Sequence, residues 1–282
     1  MLFEQVPVIV RGGGDLASGV TYRLYRAGFR VIVTELATPV FVRRMVCYGE
    51  AVYSGVVIVD GLTARFVAEF KDVDQVLTDG EIAVVVDPEG AILSQRDTIV
   101  LVDARMAKSN LGTTIGDAPV VIGLGPGFVA GVDCHVVIET NRGHHLGRVI
   151  EQGAAEPDTS VPGSVMNLTD QRVLRAPVAG YVLAVVRIGD LVQKGQIVAN
   201  VEDHEVRAPF DGVVRGLIHE HVPVTPGMKI GDIDPRAKSE HCFSISDKSL
   251  AVGGGVLEAV MAAPQVHRYV LSQVGNEAAR GV

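Results

Sequence analysis

The stretch Val6-Pro-Val-Ile-Val10, Arg11-Gly-Gly-Gly-Asp15 and LASGVTYRLYRAGFRVIVTE, residues 16–35, decides how the first half of this chain is read. A short apolar run empties into three glycines, and a helical pattern follows. Leu16, Val20, Leu24 and Ala27 share one face of it, with Arg23 and Arg26 elsewhere. Gly28 closes the helix and Val31-Ile-Val33 reads as a second buried strand. Strand, glycine turn, helix and strand in that order make a βαβ unit. Further strands are expected at residues 51–59, 82–86, 99–102 and 120–122, with a helix near 64–76.

Gly12, Gly14 and Ala17 fit G-x-G-x-x-A at the first strand-to-helix turn, and Glu35 stands at the end of the second strand. In a dinucleotide fold such glycines let backbone approach a pyrophosphate at a helix N-terminus, while the acid binds a ribose hydroxyl. Gly12, Gly13, Gly14, Asp15 and Glu35 are therefore the first candidate cofactor-binding set. Asp15 argues the other way, because a carboxylate at a helix N-terminus competes with a phosphate. A plain tight turn with Asp15 as N-cap stays open.

Residues 121–150, VIGLGPGFVAGVDCHVVIETNRGHHLGRVI, crowd the chain's most reactive side chains together. Gly123, Gly125 and Gly127 follow an apolar run, where open α/β sheets bind ligands and successive amides can hold an anion. Cys134 beside His135 reads either as a small buried hydrophobe or as a nucleophile whose thiolate the imidazole assists. Arg142 suits bidentate contact with phosphate or carboxylate, and His144 is a candidate ligand contact. The Cys and His spacings match no standard zinc pattern, so no metal site is assigned. Asp103, Arg105, Lys108 and Asn110 directly follow a strand, as a ligand edge or as a solvated loop.

The chain changes character after residue 150. Residues 152–164, QGAAEPDTSVPGS, read as a connection. RAPVAGYV from Arg175 then returns as RAPFDGVV from Arg207, a repeat offset by 32 residues that also pairs Val192 with Val224 and Gly195 with Gly227. This pattern resembles the barrel-sandwich domains that carry biotin or lipoate. Those place a modified lysine on the hairpin between the halves, and here that hairpin is Val201-Glu-Asp-His-Glu-Val206, without lysine. The fold expected is thus α/β: a Rossmann-like domain with a largely parallel sheet over residues 1–165, then an all-β barrel-sandwich (biotinyl/lipoyl-like) domain lacking the carrier lysine over 171–236. Residues 237–282 form a C-terminal segment with a helix at 256–262, expected to pack on the first domain.

The 282 residues are 48% hydrophobic, without tryptophan, so the cores are expected to be Val, Ile, Leu and Ala. A net charge of −8 argues against nucleic acid or an anionic membrane as main partner, although Arg23, Arg26, Arg30, Arg43 and Arg44 form a local basic group. Three widely spaced cysteines, no basic leader and no apolar run near ~20 residues point to a cytoplasmic protein without a membrane span.

RGGGDLASG at 11–19, RRMVCYGEAVYSG from Arg43, GLGPGF at 123–128, DCHVVIETNRGHHLGR at 133–148 and GGGVLEAV at 253–260 together resemble the YqeB-like accessory proteins of the selenium-dependent molybdenum hydroxylase system. The resemblance implies a maturation protein that works beside the molybdenum cofactor, with the client hydroxylase and other maturation factors as partners, and a homo-oligomer is allowed. Joined to the residue reading, it implies a molybdenum pterin dinucleotide or another nucleotide held between the domains, with Cys134 accepting or transferring sulfur or selenium. An NAD(P)-dependent oxidoreductase and a non-catalytic scaffold docking its client are the alternatives.

Overall fold

The computed structural model describes residues 3–158 and 170–280. The connection read at 152–164 falls outside the described residues from 159 onward. The first half runs β1 (Pro7–Arg11), α1 (Asp15–Arg26), β2 (Arg30–Glu35), α2 (Ala51–Ser54), β3 (Val56–Val59), β4 (Leu62–Val67), α3 (Val73–Thr78), β5 (Ile82–Val86), α4 (Ile92–Gln95), β6 (Val100–Asp103), β7 (Val120–Leu124), β8 (Val129–Ala130), β9 (Val136–Ile138), β10 (Val149–Ile150) and β11 (Gly153–Ala154). Nine of these strands form one mixed sheet in the order β10-β9-β7-β6-β1-β2-β5-β4-β3. The interior pairs are parallel, and β10 and β3 join the two edges antiparallel. The central strands are near-continuous Val and Ile because both faces are covered. Val8 and Val10 enter the core under α1, and Ile9 enters the core on the opposite face with α3 and α4.

The expected Rossmann-like domain is corrected here. In such a fold helices carry the chain between successive parallel strands. The crossover from β6 to β7 contains no helix, and that from β7 to β9 contains only β8. The residues explain it: KSNLGTTIGDAP from Lys108 is built of turn formers and cannot hold a helix. The sheet face left bare is covered by α5 (Asp247–Ala262), which arrives from the other end of the chain and packs on α1, β7, β9 and β10. α6 (Pro264–Arg280) follows it. Two local readings also change. Residues 51–54 are helical, not strand, and residues 62–67 pair into the sheet beside β5 instead of forming a helix. Ala64 enters the core under α1 and Val67 the core on the opposite face, so this strand is covered on both sides and shows no helical stripe.

The second half holds β12 (Val173–Arg175), β13 (Gly180–Ala184), β14 (Leu191–Val192), β15 (Ile197–Val201), β16 (His204–Arg207), β17 (Gly212–Leu217), β18 (Pro223–Val224) and β19 (Lys229–Asp234). The barrel-sandwich expectation is corrected to two separate four-stranded antiparallel sheets, β12-β19-β17-β14 and β16-β15-β13-β18. The 32-residue repeat relates them. It carries β13 onto β17, β14 onto β18 and β15 onto β19, so each repeat gives strands to both sheets. Leu174, Val182, Val198, Val214 and Ile230 pack between them. The two halves meet where Tyr53 of α2 reaches that core and stacks on His219, ring centroids 3.8 Å apart. Among the described residues no single helix is long and apolar enough to cross a membrane.

Candidate functional site

The glycine turn after β1 is filled by protein. Gly12 has φ +97° and donates its N–H to the Thr34 carbonyl at 2.7 Å. The Gly13 N–H donates to Glu35 Oε1 at 2.6 Å, and Glu35 Oε2 accepts from Leu36 N–H at 2.8 Å. Burial raises the Glu35 carboxyl, against the pull of those two amides. A Cβ at Gly13 would lie 2.7 Å from the Gly49 backbone, and Phe41 lies against Gly14. Asp15, in the first turn of α1, accepts from Ser249 Oγ at 2.7 Å and pairs with Arg43 at 2.7 Å. The nucleotide-binding expectation is corrected on this ground. The amide that would meet a pyrophosphate and the carboxylate that would meet a ribose are bonded to each other, and the helix end carries its own anion.

The second glycine loop is equally close-packed. A Cβ on Gly123 would meet Phe128 at 2.5 Å, one on Gly125 would meet Thr140 Oγ1 at 2.3 Å, and one on Gly127 would meet the Ser109 backbone at 2.7 Å. Cys134 is wholly buried in the core on the α3 and α4 side of the sheet. Burial pushes its thiol up to about 11, the reverse of an activated thiolate. His135 does not assist it: its Nδ1 accepts the Val121 N–H at 2.9 Å. Burial lowers the His135 imidazole. Glu139 is a buried clamp whose two oxygens accept the N–H groups of Asn141 and Glu156 at 2.6 and 2.7 Å. Arg142 forms a bidentate pair with Asp247 at 2.8 and 2.9 Å. His144 and His145 are exposed, edge to face, and border a shallow depression with Arg148 and Glu258. Cys47 and Cys242 are buried as well, with their thiols pushed up chiefly by burial.

The cluster expected after β6 is present as an internal network. Asp103 binds Arg105 through both oxygens and accepts from Thr113 Oγ1 at 2.6 Å, and Arg11 donates to that Thr113 oxygen at 3.0 Å. Asn110 exchanges bonds with the Thr113 backbone. Lys108 instead points to Asp158 at 2.7 Å. Met106 and Lys108 both hold positive φ, so this network fixes a strained loop.

Charged side chains also gather around Asp15 and around Asp234. Arg43, nine-tenths buried, links Asp15 to the carbonyls of His241 and Ser244 at 3.2 and 3.4 Å. From the antiparallel sheets come Arg215, 3.4 Å from Asp234, and Arg236, bidentate on the same Asp234. Lys229 at the start of β19 and Lys248 in the first turn of α5 add two half-buried ammonium groups. Burial lowers Lys229, Lys248 and Arg215. The sequence reading singled out Asp15, Arg43 and Arg142 here. It did not single out Lys229, Lys248, Arg215 or Arg236, whose local sequence carries no motif. Among the described residues no three His, Cys, Asp or Glu side chains gather as a metal site.

Over 254 residues the chain is 49% identical to the uncharacterized protein YqeB of Escherichia coli K12, an alignment that takes in 90% of this chain and 47% of that protein. The chain is thus YqeB-like across most of its length, and it spans about half the length of the curated relative it matches. No family model matches it. Solved structures with some likeness include an aspartoacylase family protein from Mesorhizobium loti, 10% identical over 72% of this chain and 56% of that one, TM-score 0.24. A succinylglutamate desuccinylase from Silicibacter sp. TM1040 is 13% identical over 81% and 84%, TM-score 0.24. Overlaps this loose transfer neither fold nor activity.

Proposed function

We propose that this chain is an accessory protein in the maturation of a selenium-dependent molybdenum hydroxylase, and that it holds an anionic small molecule between its two halves. The observation that supports it is where the resembling motifs lie. Asp15 of the first motif pairs with Arg43 of the second, and Ser249, just before the fifth, donates to Asp15. Arg142 of the fourth motif reaches Asp247 at the head of the same helix. The fifth motif packs glycine to backbone on the first and fourth: Cβ atoms on Gly253 and Gly255 would lie 2.3 and 2.1 Å from the Gly19 and Gly147 carbonyls. Four of the five motifs, scattered over about 240 residues of sequence, therefore meet around α1 and α5. The shielded thiols favour binding and handing over a ligand above covalent sulfur or selenium transfer. Producing the client hydroxylase with and without this chain tests the role. Client activity should depend on the chain and fall when Asp15→Asn and Arg43→Ala are combined. Full activity of the client without the chain would sink the reading.

A further inference from the structure

We propose that this chain self-associates as a twofold dimer by antiparallel pairing of β3, an edge strand of the nine-stranded sheet, with β3 of a second copy. β3 is Val56-Val-Ile-Val59, and its one neighbour in the sheet is β4. The turn between them is Asp60-Gly61, with φ +46° and +78°, the two-residue hairpin geometry. In such a hairpin the flanking residues, Val59 and Leu62, form a hydrogen-bonded pair, and bonded and non-bonded pairs alternate from there. Val57 and Val59 therefore turn their N–H and C=O groups toward β4, and Val56 and Ile58 turn theirs outward. Among the described residues only the Val56 carbonyl of those four outward groups is met, by Ser54 Oγ at 2.9 Å.

A free edge is a template for another strand, and folded proteins guard theirs by shortness, charge or proline. Among the described residues every other edge strand has such a guard. β8, β10, β11, β14 and β18 are two residues long, and β18 begins with Pro223. β12 ends in Arg175, and β16 carries Glu205 and Arg207. β3 alone is four β-branched apolar residues without a charge. Val57 and Val59 belong to the core under α1. Val56 and Ile58 point to the other side of the sheet, where α3 lies over β2 and β5 and does not reach them. Ile58 is 67% exposed. Cβ atoms on Gly55 and Gly61 would stand in open space, so both ends of the strand are clear.

The strand's own chemistry selects a second copy as the occupant. A twofold axis beside Val57 sets Val56 opposite Ile58 on both sides of it, and the outward groups then bond reciprocally. Since Val56 lies beside Arg65 and Ile58 beside Thr63, each exposed row continues across the axis as Arg65, Val56, Ile58, Thr63. A flexible peptide laid here would have to fix its whole backbone for bonds to two residues of β3. A folded copy brings its strand already ordered. β3 also offers no charge that would select a different partner. The net charge of −8 on each copy opposes association, so the dimer is weak and tightens as salt screens that repulsion.

The test is analytical ultracentrifugation of the full chain over about 1–500 µM, joined to amide hydrogen exchange at both ends of that range. A monomer–dimer equilibrium is expected with a Kd above about 1 µM, as for a small interface, and tightening about threefold or more from ~0.05 to ~0.5 M salt. Ile58→Lys should leave the chain monomeric at every concentration, with the wild-type Tm, because the side chain is exposed. Leu183→Lys, equally exposed on the other half, should leave the dimer as it is. Exchange at the Ile58 amide should slow as concentration rises, while the Val57 amide, bonded to β4, should not respond. That readout decides the matter in the unmodified chain even where Ile58→Lys lowers Tm. A chain that stays monomeric throughout would overturn the proposal. So would a dimer untouched by Ile58→Lys, or one whose Ile58 amide exchanges at the monomer's rate.

Discussion

Cys134 shows how one side chain's meaning depends on depth. A thiol next to an imidazole in sequence suggests a nucleophile, yet residues adjacent on an extended segment point to opposite sides. Cys134 enters the core and His135 turns to the Val121 amide. We expect all three cysteines to resist alkylation in the folded protein at pH 7–8 and to label completely in denaturant, read by mass spectrometry. Rapid labelling of Cys134 in the native state would restore the nucleophile reading. Asp103 offers a pH test. Burial pushes its carboxyl up, but the Arg105 and Thr113 hydrogen bonds and the Arg105 charge outweigh that, and the net shift is down from 3.8. A lowered folded value means the carboxylate stabilises the fold above the unfolded value, and that this is lost as pH falls through the folded one. Asp103→Asn should therefore cost about 3–5 kcal/mol at pH 7, since it strands Arg105. It should also flatten the acid limb of the stability curve, measured by urea unfolding between pH 2 and 7.

At the scale of elements, α5 is the unusual piece. Three consecutive glycines inside a helix cost about 1 kcal/mol each relative to alanine. Two of them are explained by contact: Gly253 lies against the Gly19 carbonyl and Gly255 against the Gly147 carbonyl. Gly254 faces open space. Alanine should thus act with opposite sign along this triplet. Gly253→Ala and Gly255→Ala should destabilise by about 1–3 kcal/mol through forced separation of α5 from its neighbours. Gly254→Ala should stabilise by about 0.5–1 kcal/mol. Chemical denaturation of the three single variants checks this directly, and equal effects at all three would show that close approach is not what the glycines serve.

For the whole molecule the contact between the halves is small-residue and aromatic. A Cβ on Gly216 would stand 2.6 Å from the Val42 carbonyl, Arg44 Nε donates to the Leu217 carbonyl at 3.2 Å, and Tyr53 stacks on His219. Gly216→Val combined with Tyr53→Ala should wedge the halves apart while leaving each core intact. Differential scanning calorimetry should then resolve two transitions where the native chain shows one. A single transition in the double variant would mean that the halves are joined chiefly elsewhere.

Local patterns in the sequence determined the elements whose signal is short-ranged. The βαβ unit from β1 to β2 rests on a Val and Ile run, a glycine turn and one helical face, and the 32-residue repeat rests on recurring Pro, Gly and Val. Glycines at 12, 123, 125 and 127 were also picked out as special, although their reason proved to be close packing and turn geometry in place of ligand approach. Tertiary structure alone decided which element covers the sheet beside β7 and β9. The chain between those strands is too rich in turn formers to supply a helix, so α5 comes from more than 100 residues away. It likewise decided what surrounds Asp15, because Arg43 and Ser249 reach it only once the chain after β2 and the start of α5 have packed against α1. Charge balance is a property of space, and sequence distance carries almost none of it.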